Sequence, residues 1–159
     1  MDIPNALRIA YFQTNNKVHE AEFNINSSGS TCVSLVSNND KLYSANVGDS
    51  RAIICSITSE GKIIGKPLTR DHKPSDPVEA KRIIESGGRI TTSKGSLKIK
   101  EVGNGTGPLR VWRKEDNTPG LSMTRAIGDS IGSQAGIISE PGSIAYKTCR
   151  DICDGVECV

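Results

Sequence analysis

The feature that most constrains this chain is a series of short strand-like segments joined by short polar turns. Each segment is rich in Val, Ile, Leu, Ala or Tyr, and Asn-Asn-Asp, Gly-Asp-Ser and Thr-Ser-Glu-Gly turns separate one from the next. The four predicted strands cover residues 31–37, 41–47, 51–57 and 62–68. Strands with connections this short pair antiparallel, because parallel pairing needs a crossover of about a dozen residues or more. Residues 28–68 therefore predict an antiparallel β-meander.

Helical patterns flank the meander on both sides. Residues 1–22 carry, from Ile3 onward, apolar side chains at three- and four-residue spacing, which predicts a helix with one apolar face. A second helix is predicted over residues 76–88, where Asp76 is a good N-cap and a proline follows it. Glu79 completes a capping-box pattern, and two consecutive glycines end the segment.

The second half of the chain has weaker patterns. Seven glycines and prolines interrupt residues 91–120, which predicts irregular structure apart from a short strand at Leu109–Trp112. Residues 121–127 suit either a helix or a strand. Four glycines and prolines in residues 130–142 predict mostly loop.

Charge and composition exclude several classes of partner. The 159 residues carry 20 Lys and Arg against 18 Asp and Glu, a net charge of +2, and only 4% are aromatic. Such a chain lacks the basic footprint and the stacking platforms of nucleic-acid binders. No apolar run approaches the roughly 18 residues of a membrane span, and the first residues do not resemble a signal peptide. We expect no nucleic-acid or membrane partner and an intracellular location, cytoplasm or nucleus.

The five cysteines favour free thiols, because their number is odd and no C-x-x-C spacing occurs. Cys32 and Cys55 lie inside predicted strands and are expected to be buried. The other three cysteines, at 149, 153 and 158, cluster near the end of the chain. A zinc site there would need a fourth ligand, and both histidines lie far upstream, so zinc is not expected.

Several sequence blocks follow one another in a characteristic order. The blocks are Ser-Gly-Ser-Thr at 28–31, Ala-Asn-Val-Gly-Asp-Ser-Arg-Ala at 45–52, Leu-Thr-Arg-Asp-His-Lys-Pro at 68–74, Glu-Ser-Gly-Gly-Arg-Ile at 85–90, Leu-Ser-Met-Thr-Arg-Ala-Ile-Gly-Asp at 121–129 and Glu-Pro at 140–141. Each block alone is a weak signal. Together, in this order and approximate spacing, they resemble the metal-dependent protein phosphatases of type 2C (the PPM family) from about residue 6 to residue 142.

The resemblance implies an α+β fold, an antiparallel β-sandwich flanked by helices. It also implies an enzyme that removes phosphate from phosphoserine or phosphothreonine of a protein substrate. Two metal ions, Mg²⁺ or Mn²⁺, would activate the attacking water. The resemblance makes Asp71 a ligand of a third, weaker metal position, whereas the residues alone favour a loop carboxylate that accepts from nearby amides. It also places residues 91–120 at the family's flap, a variable region beside the active site.

The sequence departs from the family where the main metal ligands belong. The family's Arg-x-Met-Glu-Asp and Asp-Gly-His-Gly-Gly motifs are absent, and so is a later Asp-Asn. In the divergent tail 143–159, Cys-Asp-Gly-Val-Glu resembles a remnant of the family's Asp-Gly-x-Trp-Asp motif. Asp154 is therefore either a displaced metal ligand or a residue without a role. With Asp71 and Asp154 as the candidate ligands, we expect weak metal binding and little phosphatase activity from this chain alone.

Two functional interpretations follow from these observations. In the first, residues 1–159 are a single partial phosphatase domain, incomplete at both ends. In the second, the chain is a non-catalytic phosphatase-like scaffold or a phosphoprotein-binding module. The well-matched blocks favour the first, and the missing ligands favour the second. Arg125, in the family-typical block 121–142, either supports the active-site edge and flap or forms a structural pair with a carboxylate, and we assign it no catalytic role.

Overall fold

A computed structural model describes residues 2–39, 41–92 and 107–146. The helices are α1 (Ile3–Glu20), α2 (Pro77–Glu85) and α3 (Ser130–Ser133). The strands are β1 (Gly29–Ser30), β2 (Cys32–Asn38), β3 (Lys41–Val47), β4 (Ile53–Ile57), β5 (Ile63–Pro67), β6 (Arg89–Thr92), β7 (Leu109–Trp112), β8 (Pro119–Leu121), β9 (Ile127–Gly128) and β10 (Gly142–Tyr146). All pairings between these strands are antiparallel, and the expected α+β class is confirmed.

Strand β3 is the centre of the main sheet. The strand order of this sheet is β10-β3-β2, and Asn46 of β3 faces Gly142 on one side and Val33 on the other. The β2–β3 turn uses the predicted asparagines, since Asn39 has a φ of +52°, in the left-handed region that asparagine tolerates. This sheet places β10 next to the segment that leads into α2.

The meander prediction is confirmed for its strands and for the β2–β3 and β4–β5 pairings, and it is wrong for the pairing of β3 with β4. Strand β3 pairs with β10 rather than with β4, and β4 and β5 form a separate two-stranded ribbon. The chain leaves the sheet at Gly48, which has a φ of +96° and packs so closely on Thr31 that an added Cβ would lie 2.3 Å from that methyl group. Glycine is therefore the residue that fits at position 48, where the chain leaves the sheet.

The β4–β5 ribbon is poorly covered, which corrects a second prediction. Cys55, expected to be buried, is exposed, and Cys32 on β2 is half-buried; both are free thiols. All five residues of β5 are exposed, so no layer covers that side of the ribbon within the described residues. Strand-like sequence alone did not predict which strands are covered.

The segment 91–120 is more regular than predicted. Strands β6, β7 and β8 form a three-stranded antiparallel sheet, while residues 93–106 lie outside the described ranges. The Pro-Gly pair that suggested irregular structure lies in β8, an edge strand, where a missing N–H donor does little harm. Likewise, the start of the predicted divergent tail is part of β10, paired with β3.

Within the described residues, most of the buried apolar side chains form two clusters. One joins α2 to the β6–β8 sheet and to the loop after α3, through Ile83, Val111 and Ile137. The other joins α1 to the main sheet through Tyr11, Ala45 and Val47. No helix in the described part of the chain is long and apolar enough to cross a membrane.

Helix α1 has the N-terminal signals that its sequence suggests. Asp2 is the N-cap, and its carboxylate accepts from the Asn5 N–H at 3.1 Å, while a proline lies in the first turn. The helix is anchored by Tyr11, whose hydroxyl lies 3.1 Å from the Ala45 carbonyl and 3.0 Å from the Ser34 hydroxyl. These contacts fix α1 across β2 and β3.

Candidate functional site

The predicted metal ligand Asp71 lies in the loop between β5 and α2. The Arg51 guanidinium binds it through two hydrogen bonds, each 2.8 Å long, from Nε to Oδ1 and from Nη2 to Oδ2. The Lys73 ammonium lies 2.9 Å from Oδ2. Hydrogen bonds from Arg51, and then the Lys73 charge, outweigh burial and lower the pKa of Asp71 to about 2. The carboxylate is therefore ionised at any pH near neutral.

These contacts bear on whether the described residues fit a metal ion. Both Asp71 oxygens are already bonded to cations, so a metal would have to displace Arg51 or Lys73. Among the described residues no group of three or more His, Cys, Asp and Glu side chains could hold a metal ion. Asp154, the second predicted ligand, lies outside the described ranges. The described residues alone do not fit the two-metal centre that the resemblance implies.

The next residue, His72, is buried, with 5% of its surface exposed. Its backbone N–H donates to the Gly48 carbonyl at 3.0 Å, and its Nδ1 accepts from the Gly48 N–H at 3.2 Å. Burial, and next the positive charge of Arg125, lower the pKa of His72 to about 4. His72 is thus a neutral imidazole that ties the loop to the end of β3.

A buried carboxylate, Glu79, is the centre of the polar network behind this loop. The Arg125 guanidinium bonds both of its oxygens, and Arg82 Nη1 lies 2.8 Å from Oε2. The Thr124 hydroxyl also donates to Oε2, at 2.5 Å. Burial raises the pKa of Glu79, but hydrogen bonds from Arg125, Thr124 and Arg82 outweigh it and lower the pKa to about 2. Glu79 therefore joins α2 to the family-typical block at 121–129.

This network corrects the capping-box interpretation of α2. The helix begins at the predicted place, and the Asp76 carboxylate accepts from the Val78 N–H at 2.9 Å. Glu79, however, bonds inward to the Arg82 and Arg125 side chains, while the Asp76 N–H donates to the Lys73 carbonyl. Of the two alternatives for Arg125, the structure shows the pair with a carboxylate, and its Nη1 also donates to the Glu140 carbonyl at 2.7 Å.

The Ser-Gly-Ser-Thr block and the end of the 121–129 block meet at β1 and β9. Gly29 pairs with Gly128, and Asp129 follows with a φ of +48°. A Cβ on Gly29 would lie 2.2 Å from the Asp129 Oδ2 atom, so only glycine allows this approach. Burial raises the pKa of Asp129. Two blocks that are 100 residues apart in the sequence are thereby in contact.

Two concave regions adjoin these residues. A cavity of about 240 Å³ is lined by His72, Glu79, Arg125 and Gly142, among others, and we call it the His72 cavity. A wider groove of about 610 Å³ runs between α1 and residues 137–140, with the exposed Phe12 on its wall. The sequence did not predict the His72 cavity, because its walls come from five separate stretches of the chain.

The comparisons with known proteins agree with this architecture. The family model of protein phosphatase 2C matches residues 2–151, nearly the whole chain. The chain therefore belongs to the protein phosphatase 2C family, as its sequence blocks predicted.

Named relatives and solved structures give the same result. The chain is 37% identical over 123 residues to a probable protein phosphatase 2C 34 of Arabidopsis thaliana, covering 77% of this chain and 32% of that protein. It is 40% identical over 114 residues to a probable protein phosphatase 2C 12 of Oryza sativa subsp. japonica, covering 72% of this chain and 27% of that protein. The match thus spans about a third or less of these relatives' length.

The crystal structure of a serine-threonine phosphatase 2C from Toxoplasma gondii matches with a TM-score of 0.74 and 22% identity, over 94% of this chain and 47% of that one. The structure of a C. elegans sex determining protein matches with a TM-score of 0.57 and 23% identity, over 87% of this chain and 35% of that one. At these identities the two structures show the fold alone, and they confirm the type 2C phosphatase-like fold class expected from the sequence.

Proposed function

We propose that this chain is part of a metal-dependent protein phosphatase that hydrolyses phosphoserine and phosphothreonine in protein substrates. The observation that carries the proposal is the family match over residues 2–151. Mg²⁺ or Mn²⁺ would supply the activated water and neutralise the phosphoryl oxygens. The free thiols of Cys32 and Cys55 support an intracellular setting, cytoplasm or nucleus.

In this proposal the described residues build the framework rather than the metal centre. The Glu79 network fixes α2 against the 121–129 block, and His72 fixes the Asp71 loop against β3. The Asp71 side chain is covered by its two cationic partners, Arg51 and Lys73, which are themselves about half exposed, so a metal ion would have to displace one of them. Further carboxylates would have to complete a two-metal site.

The first test is phosphate release from a phosphothreonine peptide by the 159-residue chain, with Mn²⁺ and with EDTA. We expect little or no metal-dependent release, because the described residues hold no cluster of metal ligands. Robust Mn²⁺-dependent turnover would show that the expectation of weak metal binding is wrong.

The second test asks whether the chain serves an active phosphatase. Its residues 6–142 replace the matching part of the Arabidopsis relative, and the chimera is assayed with the same peptide. Mn²⁺-dependent turnover supports the proposal, and a folded but inactive chimera contradicts it. Asp71→Asn in the chimera should lower turnover at limiting Mn²⁺, whereas Glu115→Gln, at an exposed position away from the loop, should not.

A second candidate function is a phosphatase-like scaffold that binds phosphoproteins without hydrolysis. The observation in its favour is that both oxygens of Asp71 are paired with cationic side chains. Binding of the phosphothreonine peptide, but not of its unphosphorylated form, by the 159-residue chain in EDTA would support the scaffold. Equal binding of both peptides would count against it.

A further inference from the structure

The β4–β5 ribbon has one backbone edge on each side, and its hydrogen bonds show which residues form them. The two strands are antiparallel, and in such a pair the residues that exchange hydrogen bonds alternate with residues that do not. Two bonds at the ends of the ribbon fix this alternation, because the Leu68 N–H donates to the Ala52 carbonyl and the Thr58 N–H donates to the Lys62 carbonyl. The even-numbered residues of β4 therefore bond to β5, and the odd-numbered residues turn their N–H and C=O groups away from it.

The odd-numbered residues of β4 are Ile53, Cys55 and Ile57, and their backbone groups form its outer edge. Within the described residues β4 pairs with β5 alone, and no backbone hydrogen bond reaches these three residues from elsewhere. Their side chains are exposed too, by 58% for Ile53 and 40% for Ile57. A strand edge that is open in this way is a template for a further strand.

The opposite edge of the ribbon, along β5, has features that discourage pairing. Lys66 and Pro67 lie in β5, and Lys62 directly precedes it. Lysine and proline are common means by which edge strands avoid joining other strands. Residues 52–59, by contrast, contain no charged residue and no proline, and three of the five residues of β4 are isoleucine. The edge that is open to another strand is therefore that of β4.

The pattern of β4 fits a second copy of itself. An antiparallel pair of β4 strands with its two-fold axis at Cys55 places Cys55 opposite its own copy and Ile53 opposite Ile57. Each outward-facing residue then meets another outward-facing residue, and no like charges lie opposite each other. We propose that the outer edge of β4 is an interaction surface at which two copies of this chain join, in the strand order β5-β4-β4-β5.

The size of this contact predicts a weak dimer. Five residues with a rise of about 3.3 Å each give an edge about 17 Å long. A contact of this length buries less than the roughly 1,200 Å² at the lower end of specific, stable interfaces, so the dimer forms only at high concentration. The ribbon gains stability from it, because two strands alone are marginally stable, whereas three or more strands with an apolar face are stable.

The test compares the 159-residue chain at about 10 µM and at about 1 mM, under reducing conditions that prevent disulfides. Analytical ultracentrifugation should show monomer at the lower concentration and dimer at the higher. Exchange of amide protons with water, followed by NMR, locates the contact. The amides of Ile53, Cys55 and Ile57 should exchange about fivefold more slowly when about 80% of the chain is dimeric, because exchange then proceeds through the remaining monomer. The outward amides of Ile63 and Gly65 on β5 should keep their rates.

Three outcomes would overturn the proposal. The first is a chain that stays monomeric at the higher concentration. The second is a dimer in which the amides of the β4 edge exchange as fast as in the monomer, because its contact then lies elsewhere. The third is slow exchange of these amides already in the dilute monomer, which would show that another part of the same chain covers the edge.

Two proline variants make the test specific. Ile57 and Ile63 lie directly opposite each other in the ribbon, and the N–H groups of both point outward, so neither proline removes a bond between β4 and β5. Ile57→Pro removes one donor per copy from the β4 edge and should weaken dimerisation about tenfold or more, the loss expected for two hydrogen bonds. Ile63→Pro is the matched control and should leave dimerisation unchanged. Equal dimerisation of the two variants contradicts the proposal.

A lysine variant replaces the proline if circular dichroism shows that Ile57→Pro does not fold. Cys55→Lys would place two positive charges opposite each other at the two-fold axis, and like charges in directly opposite positions destabilise a strand pair. Ile63→Lys, on the other edge of the ribbon, is its control. The proposal requires that Cys55→Lys dimerises more weakly than Ile63→Lys, and equal dimerisation contradicts it.

Discussion

The carboxylate of Glu79 and the guanidinium of Arg125 are 46 residues apart in the sequence and form a buried, two-oxygen ion pair. Glu79 is 3% exposed, and Arg125 is 17% exposed by its side chain. Removing one member of such a pair leaves the other charge without compensation. The pair therefore stabilises the contact between α2 and the 121–129 block.

We predict that Glu79→Gln lowers the free energy of unfolding by about 3–5 kcal/mol, the usual cost of breaking a buried ion pair. Glutamine keeps the shape and loses the charge that Arg82 and Arg125 share. The measurement is urea unfolding at pH 7. The control is Glu85→Gln on the same helix, where the carboxylate is 66% exposed and pairs loosely with Lys81 at 3.8 Å. Glu85→Gln should lower the free energy of unfolding by less than about 0.5 kcal/mol. Equal losses in the two variants would contradict the role of Glu79.

The buried His72 predicts a loss of stability in mild acid. Its pKa is lowered from 6.5 to about 4, so the unfolded chain binds more protons than the folded chain between these values. The free energy of unfolding should have its full value above about pH 6.5 and should fall by about 3 kcal/mol as the pH drops to 4. Urea unfolding at half-unit steps of pH measures this slope.

His72→Gln should remove the slope between pH 6.5 and 4 and leave a later loss intact. That later loss belongs to Glu79 and Asp71, whose pKa values are lowered from 4.5 and 3.8 to about 2. Their contributions are present above about pH 4.5 and are lost as the pH falls toward 2. A wild-type slope that persists in His72→Gln would assign the acid sensitivity to another group.

Gly29 is predicted to be intolerant of any side chain. In Gly29→Ala the new Cβ would lie 2.2 Å from Asp129 Oδ2 and 2.7 Å from the Ile127 carbonyl oxygen, and the backbone oxygen cannot move aside cheaply. We expect a loss of about 1–3 kcal/mol, as for other overpacked sites. Gly65→Ala, on β5, is the control, since its added Cβ would approach no atom closer than 3.9 Å. Thermal unfolding compares the two, and similar midpoints would show that the β1–β9 contact relaxes easily.

The Tyr11 hydroxyl is predicted to stabilise the contact between α1 and the main sheet. The hydroxyl lies within 3.3 Å of both the Cys32 and the Ala45 carbonyl oxygens, and it donates to one of them at a time. Burial raises the pKa of Tyr11. Tyr11→Phe should cost about 1–2 kcal/mol, because a buried carbonyl loses its donor. Tyr43→Phe, at a half-buried position on β3, is the matched control and should cost less than about 0.5 kcal/mol. Indistinguishable unfolding midpoints of the two variants would show that the Tyr11 hydroxyl does not stabilise the contact between α1 and the main sheet.

Local signals in the sequence predicted the elements better than their partners. The cap at Asp76 and the asparagine turn at Asn39 depend on neighbouring residues, and both were predicted correctly. The pairing of β3 with β10 joins Ala45 to Ser143, almost 100 residues away, and no local pattern encodes it. Exposure of Cys55 depends on which layers cover the ribbon, which is equally non-local.

The same limit applies to the candidate site. The family blocks contain Asp71, its partners Arg51 and Lys73, and Arg125, but they do not show which of these side chains bind one another. Glu79 was interpreted as a capping residue because its spacing from Asp76 fits that role equally well. A signal was available, since Arg82 follows Glu79 at i+3 on the same helix. The role of Arg51 as the partner of Asp71 could be recognised only once the two loops were placed side by side.

The neighbouring residues Asp71 and His72 bond to different parts of the structure. Outside, Asp71 holds two cations; inside, His72 closes two hydrogen bonds with Gly48 and accepts at its carbonyl from the Thr124 N–H at 2.9 Å. Two consecutive residues thus connect a cluster of ionic groups, in which Arg51 and Lys73 are about half exposed, to a buried polar region. A continuous path of bonds therefore runs from Arg51, through these two residues, to the end of β3 and to the 121–129 block.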